Sequence, residues 1–193
     1  MSDLKFTPVH ASKGAIIIAT AKRRHMRTGL LRTVIFAVIA LMAWPVAAQQ
    51  DAVGPVTNLP LPRFVSLKAS EANVRRGPSQ SQRIDWILMH KGTPLQVTAE
   101  FEHWRRVQDQ EGAGGWVHYT LLSGVRTVVV TTERVAMHET PDGESRTIAL
   151  ADRNVIGRLG NCTVDWCEIE AEDYDGWVRK TDIWGVGINE IRN

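Results

Sequence analysis

The 193-residue chain is almost balanced in charge, with 23 Lys and Arg against 21 Asp and Glu, but the two signs are unevenly distributed. Residues 1–48 hold seven basic side chains and one acidic one, whereas residues 49–193 hold 16 basic and 20 acidic ones. A surface that neutralises nucleic-acid phosphates needs an excess of Lys and Arg. The sequence therefore argues against a role in nucleic-acid binding.

Residues 1–48 have the features of a secretory signal peptide. Arginines precede an apolar run at residues 33–43, which is followed by the helix breaker Pro45 and by small residues up to Ala48. A positive segment, a short apolar segment and a small-residue site in this order predict cleavage between Ala48 and Gln49. The positive segment is unusually long, and a true start at Met26 would give it a conventional length.

An uncleaved membrane anchor is the alternative interpretation of the same segment. The apolar run has 11 residues, whereas a helix that spans a bilayer needs about 20. We therefore expect a periplasmic or secreted protein that keeps no stable membrane span after cleavage.

Cysteine usage agrees with export. Cys162 and Cys167 are the only cysteines, and an even pair in an exported protein predicts a disulfide. Their spacing is not that of a thioredoxin-type motif, and no second pair is present to complete a zinc site. The four histidines after residue 48 and the acidic run at residues 168–175 also lack the spacing of metal ligands. We predict no metal and no cofactor.

Residues 49–62 contain three prolines and one glycine. Proline removes a backbone donor and disfavours helix, so this Pro-rich linker is expected to run extended into the first domain. From Arg63 onwards the pattern changes to short strands separated by turn residues, with no sustained helical period. In the predicted strand at residues 95–101, alternate apolar residues should share one face: Leu95, Val97, Ala99 and Phe101.

One stretch of the chain occurs twice. The first copy starts at His103-Trp104, passes a Gly-rich turn and ends at Gly115-Trp116-Val117, and the second starts at Asp165-Trp166 and ends at Gly176-Trp177-Val178. Each copy predicts a β-hairpin. The copies lie about 62 residues apart, and the flanking strands recur at nearly the same offset, which indicates a duplication. We predict an all-β protein with domains at residues 63–124 and 125–193.

The order of short motifs carries a family resemblance. Ala72-Asn73-Val74-Arg75, Gly77-Pro78-Ser79 and Gly115-Trp116-Val117 follow one another, and residues 64–123 thereby resemble the bacterial SH3-like (SH3b) domain. Residues 127–187 are similar but degenerate, because Val135-Ala136-Met137-His138 stands where the family favours Asn-Val-Arg. The resemblance implies two tandem small SH3-like β-barrels after the signal peptide, in an exported protein of the Gram-negative envelope.

The resemblance also implies a ligand groove between the first long loop and the loop before the Trp strand. In the first copy the groove would be lined by Arg75, Arg76, Trp104 and Tyr119 or His118. In the second copy the equivalents are His138, Glu139, Trp166 and Ile183. An aromatic floor with a few polar walls suits an extended peptide. Because only the first copy keeps the arginines, we expect it to bind and the second to be its braced partner.

The tryptophans are interpreted from their positions. Trp116 and Trp177 follow glycine at a strand start and are expected in the core. Trp104 and Trp166 lie at the loop edge, where both a ligand-facing and a buried position remain open. Two further tryptophans lie in apolar runs and are expected to pack: Trp86 and Trp184.

These features favour a non-enzymatic binding module of the periplasm. Oxidised cysteines leave no nucleophile for a Cys–His peptidase, and no serine lies in a Gly-x-Ser-x-Gly motif. The expected partner is a peptidoglycan stem peptide or an envelope protein. Two alternatives remain open, namely a structural or assembly protein that uses the barrels for packing and an accessory to a separate cell-wall hydrolase.

Overall fold

The computed structural model describes residues 52–193. The predicted signal segment, with Met26 and the cleavage site between Ala48 and Gln49, lies outside the described residues. Residues Gln49–Asn193 form one compact unit. Within the described range, no helix is long and apolar enough to cross a bilayer.

The end of the Pro-rich linker folds into a hairpin, β1 (Ala52–Val53) and β2 (Pro60–Leu61), and so differs from the extended leader that the sequence predicts. The amide of Gly54 donates to the carbonyl of Leu59, and Asn58 adopts a left-handed φ of 56° in the turn. Asparagine tolerates this conformation better than most residues. The turn also docks on the first domain through Glu100, a long-range contact that local composition does not reveal.

The first domain is a seven-stranded antiparallel sheet with the order β5-β4-β8-β7-β6-β3-β9. Its strands are β3 (Arg63–Leu67), β4 (Glu71–Arg75), β5 (Ile84–Met89), β6 (Pro94–Phe101), β7 (Trp104–Gln108), β8 (Gly114–His118) and β9 (Leu122–Ser123). A single 3₁₀ turn, Tyr119–Leu121, joins the last two strands.

The second domain repeats this arrangement strand for strand, with the order β12-β11-β15-β14-β13-β10-β16. Its strands are β10 (Thr127–Val130), β11 (Arg134–His138), β12 (Thr147–Asp152), β13 (Ile156–Cys162), β14 (Trp166–Ala171), β15 (Tyr174–Arg179) and β16 (Ile183–Trp184), with a 3₁₀ turn at Lys180–Asp182. The predicted all-β class and the tandem SH3-like architecture are confirmed.

Aliphatic side chains, mostly valines with leucines or isoleucines, form the two core clusters, and no tryptophan belongs to either cluster. Val117 and Val178 are fully buried, whereas the tryptophans that precede them, Trp116 and Trp177, are only half-buried. The prediction of both as core residues is wrong because neighbouring residues of a strand point to opposite faces. The valine after each tryptophan takes the inward position.

A β-bulge changes the face assignment within β6. Val97 pairs with Val107, but Ala99 pairs with Arg106, so one extra residue lies on β6. A bulge of this kind interrupts the alternation of side chains. Beyond it, Glu100 is buried and Phe101 is exposed, which reverses the pattern predicted for Phe101.

Two facing residues on neighbouring strands form an ion pair in the first domain and a disulfide at the equivalent positions of the second. In the first domain Glu100 lies opposite Arg105, and in the second Cys162 lies opposite Cys167. The first pair is a buried ion pair with an N–O distance of 3.4 Å. The second pair is the predicted disulfide, with the Cα atoms 4.1 Å apart. Each link joins the two strands beside the buried tryptophan.

Contacts between the domains involve one of the two tryptophans expected to pack. Trp184 is half-buried and meets Phe64 edge-to-face at a centroid distance of 5.1 Å, and the hydroxyl of Thr127 donates to the carbonyl of Gly92 at 2.6 Å. Trp86 is 54% exposed, against the prediction. It lies on β5, which ends the order of the first sheet, so part of its surface has no strand to cover it.

Candidate functional site

A cavity of about 400 Å³ in the second domain has a tryptophan in its wall. It lies between β11, the eight-residue loop of residues 139–146 and the end of β15. Its lining includes polar, charged and aromatic residues, namely Thr132, Arg134, His138, Gly143, Glu144, Trp166, Arg179 and Asp182. Its volume falls within the range of small-ligand sites.

The indole of Trp166 lies between the side chains of His138 and Arg179. The His138 ring meets the indole edge-to-face at 5.4 Å, and the Arg179 guanidinium lies 4.6 Å from the indole centroid. Strand register explains this arrangement, because Trp166 pairs with Arg179 across β14 and β15, and His138 ends the adjoining strand. Only 8% of Trp166 is exposed, so its indole forms a wall of fixed orientation.

The long loop closes over Trp166 through its own hydrogen bonds. The amide of Glu139 donates to the carbonyl of Arg146, which joins the two ends of the loop at 3.0 Å. Within the loop, the hydroxyl of Ser145 donates to the carbonyl of Asp142 at 2.8 Å. A Cβ at Gly143 would lie 4.0 Å from the indole ring. The loop therefore approaches the tryptophan closely at a residue without a side chain.

Both signs of charge line the cavity. Arg134 and Arg179 are cationic, and Glu144 and Asp182 are anionic. Arg134 also bonds to Asp152 at 2.6 Å, and this hydrogen bond lowers the pKa of the Asp152 carboxyl. At the far side of the loop, the hydrogen bond from Arg146 likewise lowers the pKa of Glu139. Asp152 and Glu139 do not line the cavity, in which the two arginines are the donors and Glu144 and Asp182 the acceptors.

A family model described as bacterial SH3 domain matches the chain twice, at residues 68–124 and 131–185, which is more than half of its length. The chain belongs to the bacterial SH3 domain family.

No curated protein matches the chain. Among solved structures, NlpC2 and NlpC1 from Trichomonas vaginalis share 10% and 8% identity with TM-scores of 0.31 and 0.32, and cover 64% and 71% of this chain. An NlpC/P60 family protein from Bacillus cereus shares 13% identity, with a TM-score of 0.29 and 63% coverage. This chain spans 48%, 47% and 55% of the three structures, respectively. These scores are too low for a comparison of function.

In the first SH3 domain, the predicted arginines bind their own loop. Arg75 donates to the carbonyl of Gln82 at 2.7 Å, and Arg76 bonds to Asp85 at 3.2 Å. Trp104 and Trp166 are each 8% exposed. The sequence left both a ligand-facing and a buried position open for them, and both are buried.

Two predicted residues lie apart from these tryptophans. Tyr119 lines a different cavity, next to the N-terminal hairpin. Ile183, expected in the groove of the second copy, is a core residue at 7% exposure. It takes the inward position of β16, so its side chain packs among the buried valines of the second SH3 domain.

Arginine and histidine exchange places at two equivalent strand ends of the SH3 domains. Arg75 ends β4 and His118 ends β8, whereas His138 ends β11 and Arg179 ends β15. His118 meets Trp104 edge-to-face at 5.4 Å, as His138 meets Trp166. The second domain thus keeps an arginine beside its tryptophan although it lacks the Asn-Val-Arg motif. Hairpin register was the signal that could have identified Arg179.

The cavity also contains a polar atom without a partner. The hydroxyl oxygen of Thr132 is buried and has no hydrogen-bond partner among residues 52–193. Buried polar groups are almost always satisfied, so such an atom in a cavity wall is a candidate ligand contact. Within the same residues, no group of His, Cys, Asp and Glu is arranged to hold a metal ion.

Proposed function

We propose that the protein is an exported, non-enzymatic binding protein whose second SH3 domain recognises a peptidoglycan stem peptide in the cavity around Trp166. The single observation that carries this proposal is the fixed indole between His138 and Arg179 at the wall of a cavity of about 400 Å³. The proposed site is therefore in the second domain, whereas the sequence favoured the first.

The charges of the cavity support a short peptide as the ligand. A stem peptide carries carboxylates as well as amide groups, and free ammonium groups can also occur in it. Arg179 and Arg134 offer donors to carboxylates, whereas Glu144 and Asp182 offer acceptors to N–H groups. Apolar surface for aliphatic side chains comes from Ala136 and from the 8% of Trp166 that is exposed. Charge-assisted hydrogen bonds of this kind are stronger than neutral ones and fix the orientation of a ligand.

The proposed compartment is the periplasm. The predicted cleavage between Ala48 and Gln49 would release residues 49–193, comprising the linker and the two predicted domains at 63–124 and 125–193. The disulfide between Cys162 and Cys167 supports an oxidising compartment. Both cysteines of the chain are in this bond, so the proposed protein has no thiol nucleophile.

Sedimentation with purified sacculi tests the proposal. We expect residues 49–193 to pellet with sacculi and Arg179→Ala to weaken binding roughly tenfold, because it removes a charge-assisted donor beside Trp166. His118→Ala is the matched control, since it changes the equivalent position of the first domain and should bind like the wild type. Absence of pelleting by the wild type, or an equal loss in both variants, would contradict the proposal.

The contacts between the domains favour a second candidate, in which the barrels serve assembly with an envelope protein. The Phe64–Trp184 contact and the Thr127–Gly92 hydrogen bond give the pair of domains a shared surface. Affinity capture from an envelope extract distinguishes the two. A stoichiometric protein partner without sacculus binding would favour assembly.

A further inference from the structure

A second cavity, of about 380 Å³, lies between the N-terminal hairpin and the first SH3 domain. Its wall combines apolar side chains with two arginines and a tyrosine, the main contributors being Leu59, Phe64, Leu122, Arg63, Arg105 and Tyr119. The cavity is separate from the one around Trp166, and the two share no lining residue. Its volume is also that of a ligand site.

The charges around this cavity are not balanced. Arg63 and Arg105 share the single carboxylate of Glu100, at N–O distances of 2.6 Å and 3.4 Å. Their side chains are only 18% and 8% exposed. Nη1 of Arg63 is buried and has no hydrogen-bond acceptor among the described residues. Arg105 also donates to the carbonyls of Glu102 and Trp104. Buried charges are normally paired, so Nη1 of Arg63 is the group at this cavity that can take a further acceptor.

The second domain shows what occupies the equivalent place. By strand register Arg126 corresponds to Arg63, and Lys180, the first residue of its 3₁₀ turn, corresponds to Tyr119. Arg126 donates to both carboxylate oxygens of Glu190, at 2.9 Å and 3.0 Å, and Lys180 donates to the Glu190 carbonyl at 2.6 Å. The second domain therefore binds a glutamate of its own C-terminal segment at this position.

The N-terminal hairpin fills only part of the same place in the first domain. Cys162 and Glu100 stand at equivalent positions of the two domains. In the second domain the backbone of Arg192 pairs with that of Cys162, and in the first domain the amides of Val56 and Thr57 donate to the Glu100 carboxylate. The hairpin thus replaces the end of the C-terminal segment. Arg63 is paired with Glu100 where Arg126 is paired with Glu190, and the cavity beside Arg63 has no counterpart of the rest of the C-terminal segment in it.

We propose that this cavity binds a glutamate-containing segment of a partner protein, with the glutamate carboxylate accepting hydrogen bonds from Arg63. Arg105 adds positive charge, and Leu59, Phe64 and Leu122 contact the apolar neighbours of the glutamate. The segment that fits best is one that resembles the chain's own Gly185–Ile191, in which small and aliphatic residues precede the acid. This site is independent of the proposed groove in the second domain.

Fluorescence anisotropy with a labelled, capped peptide of the sequence of residues 185–191 tests the proposal on the protein of residues 49–193. We expect saturable binding and at least a roughly tenfold weaker affinity for the same peptide with glutamine in place of its glutamate, because a charged hydrogen bond is lost. Arg63→Gln should weaken binding by a similar factor. Arg179→Ala, in the other cavity, should leave the affinity unchanged.

If Arg63→Gln fails to fold, Tyr119→Ala is the second variant. It keeps Arg63, Arg105 and Glu100, and it should weaken binding several-fold because Tyr119 lines the cavity. Equal affinity for the glutamate and glutamine peptides would overturn the proposal. Undiminished binding to folded Arg63→Gln would also overturn it, since the peptide would then be exchanging with the C-terminal segment of the second domain. Dimerisation that prevents peptide binding would overturn the proposal too, because a second copy of the protein would then occupy the cavity.

Discussion

Replacing Glu100 by glutamine should lower the free energy of unfolding of the first domain by roughly 3 kcal/mol or more. The Glu100 side chain is fully buried and ion-paired with Arg63 and Arg105. It also accepts hydrogen bonds from the Val56 and Thr57 amides and from the Thr57 hydroxyl. The substitution leaves two mostly buried guanidinium groups without a carboxylate, and breaking a buried pair is costly for that reason.

The control is Glu170→Gln, which removes the carboxylate of an exposed pair with Arg158. Exposed pairs contribute about 0–1 kcal/mol, so this variant should unfold like the wild type. Hydrogen exchange with mass spectrometry resolves the two domains and measures each loss separately. A loss of less than about 1 kcal/mol in Glu100→Gln would show that the network does not hold the first domain.

The same carboxylate gives the stability a defined pH dependence. Burial alone would raise the pKa of Glu100, but hydrogen bonds from Thr57, Arg63 and Val56 outweigh it and lower the pKa from 4.5 to about 2. A lowered pKa stabilises the folded state above the unfolded value, and this contribution is lost as the pH falls towards the folded value. The difference between wild type and Glu100→Gln should therefore be full above pH 5 and shrink from about pH 4.5 towards pH 2. A difference that is constant over this range would contradict the assignment.

Replacing Cys162 and Cys167 together by alanine should destabilise the second domain by about 2 kcal/mol, the chain-entropy contribution of so short a ring. The disulfide closes a sequence separation of five residues and lies beside Trp166. The same loss should appear in the wild type under reducing conditions, measured by urea unfolding. The first domain, which has the Glu100–Arg105 pair at these positions, serves as the internal control.

Two outcomes would contradict this account of the disulfide. If the alanine variant and the oxidised wild type unfold at the same urea concentration, the bond does not stabilise the second domain. If reduction destabilises the first domain instead, the stability of the two domains is coupled through their shared surface.

Strand periodicity and the repeat were sufficient to predict the class and the tandem architecture. The duplicated Trp hairpins and the Gly-Pro-Ser loop determined the family because they are local patterns in the sequence. The tryptophans were harder to assign. Each is covered by residues distant in the sequence: Trp104 by His118, and Trp166 by His138 and the loop around Gly143. No local sequence pattern indicates such long-range contacts.

The less regular features could not be predicted because they depend on long-range contacts. The bulge in β6 turns Glu100 inwards, where it meets a hairpin that composition alone describes as a linker. The candidate site around Trp166 includes Arg179, which reaches the indole only through the pairing of β14 with β15. An arginine ends β4 but not the equivalent β11, and this arginine of the first domain, Arg75, is engaged with Gln82.

Amide chemical-shift mapping tests the central claim, that the second SH3 domain binds the stem peptide, most directly. Isotope-labelled residues 49–193 would be titrated with a soluble muropeptide that carries the stem peptide. We predict saturable shifts at His138, Gly143 and Arg179, with the first domain unaffected. Shifts confined to the residues around Trp104 and His118, or no shifts at millimolar ligand, would contradict it.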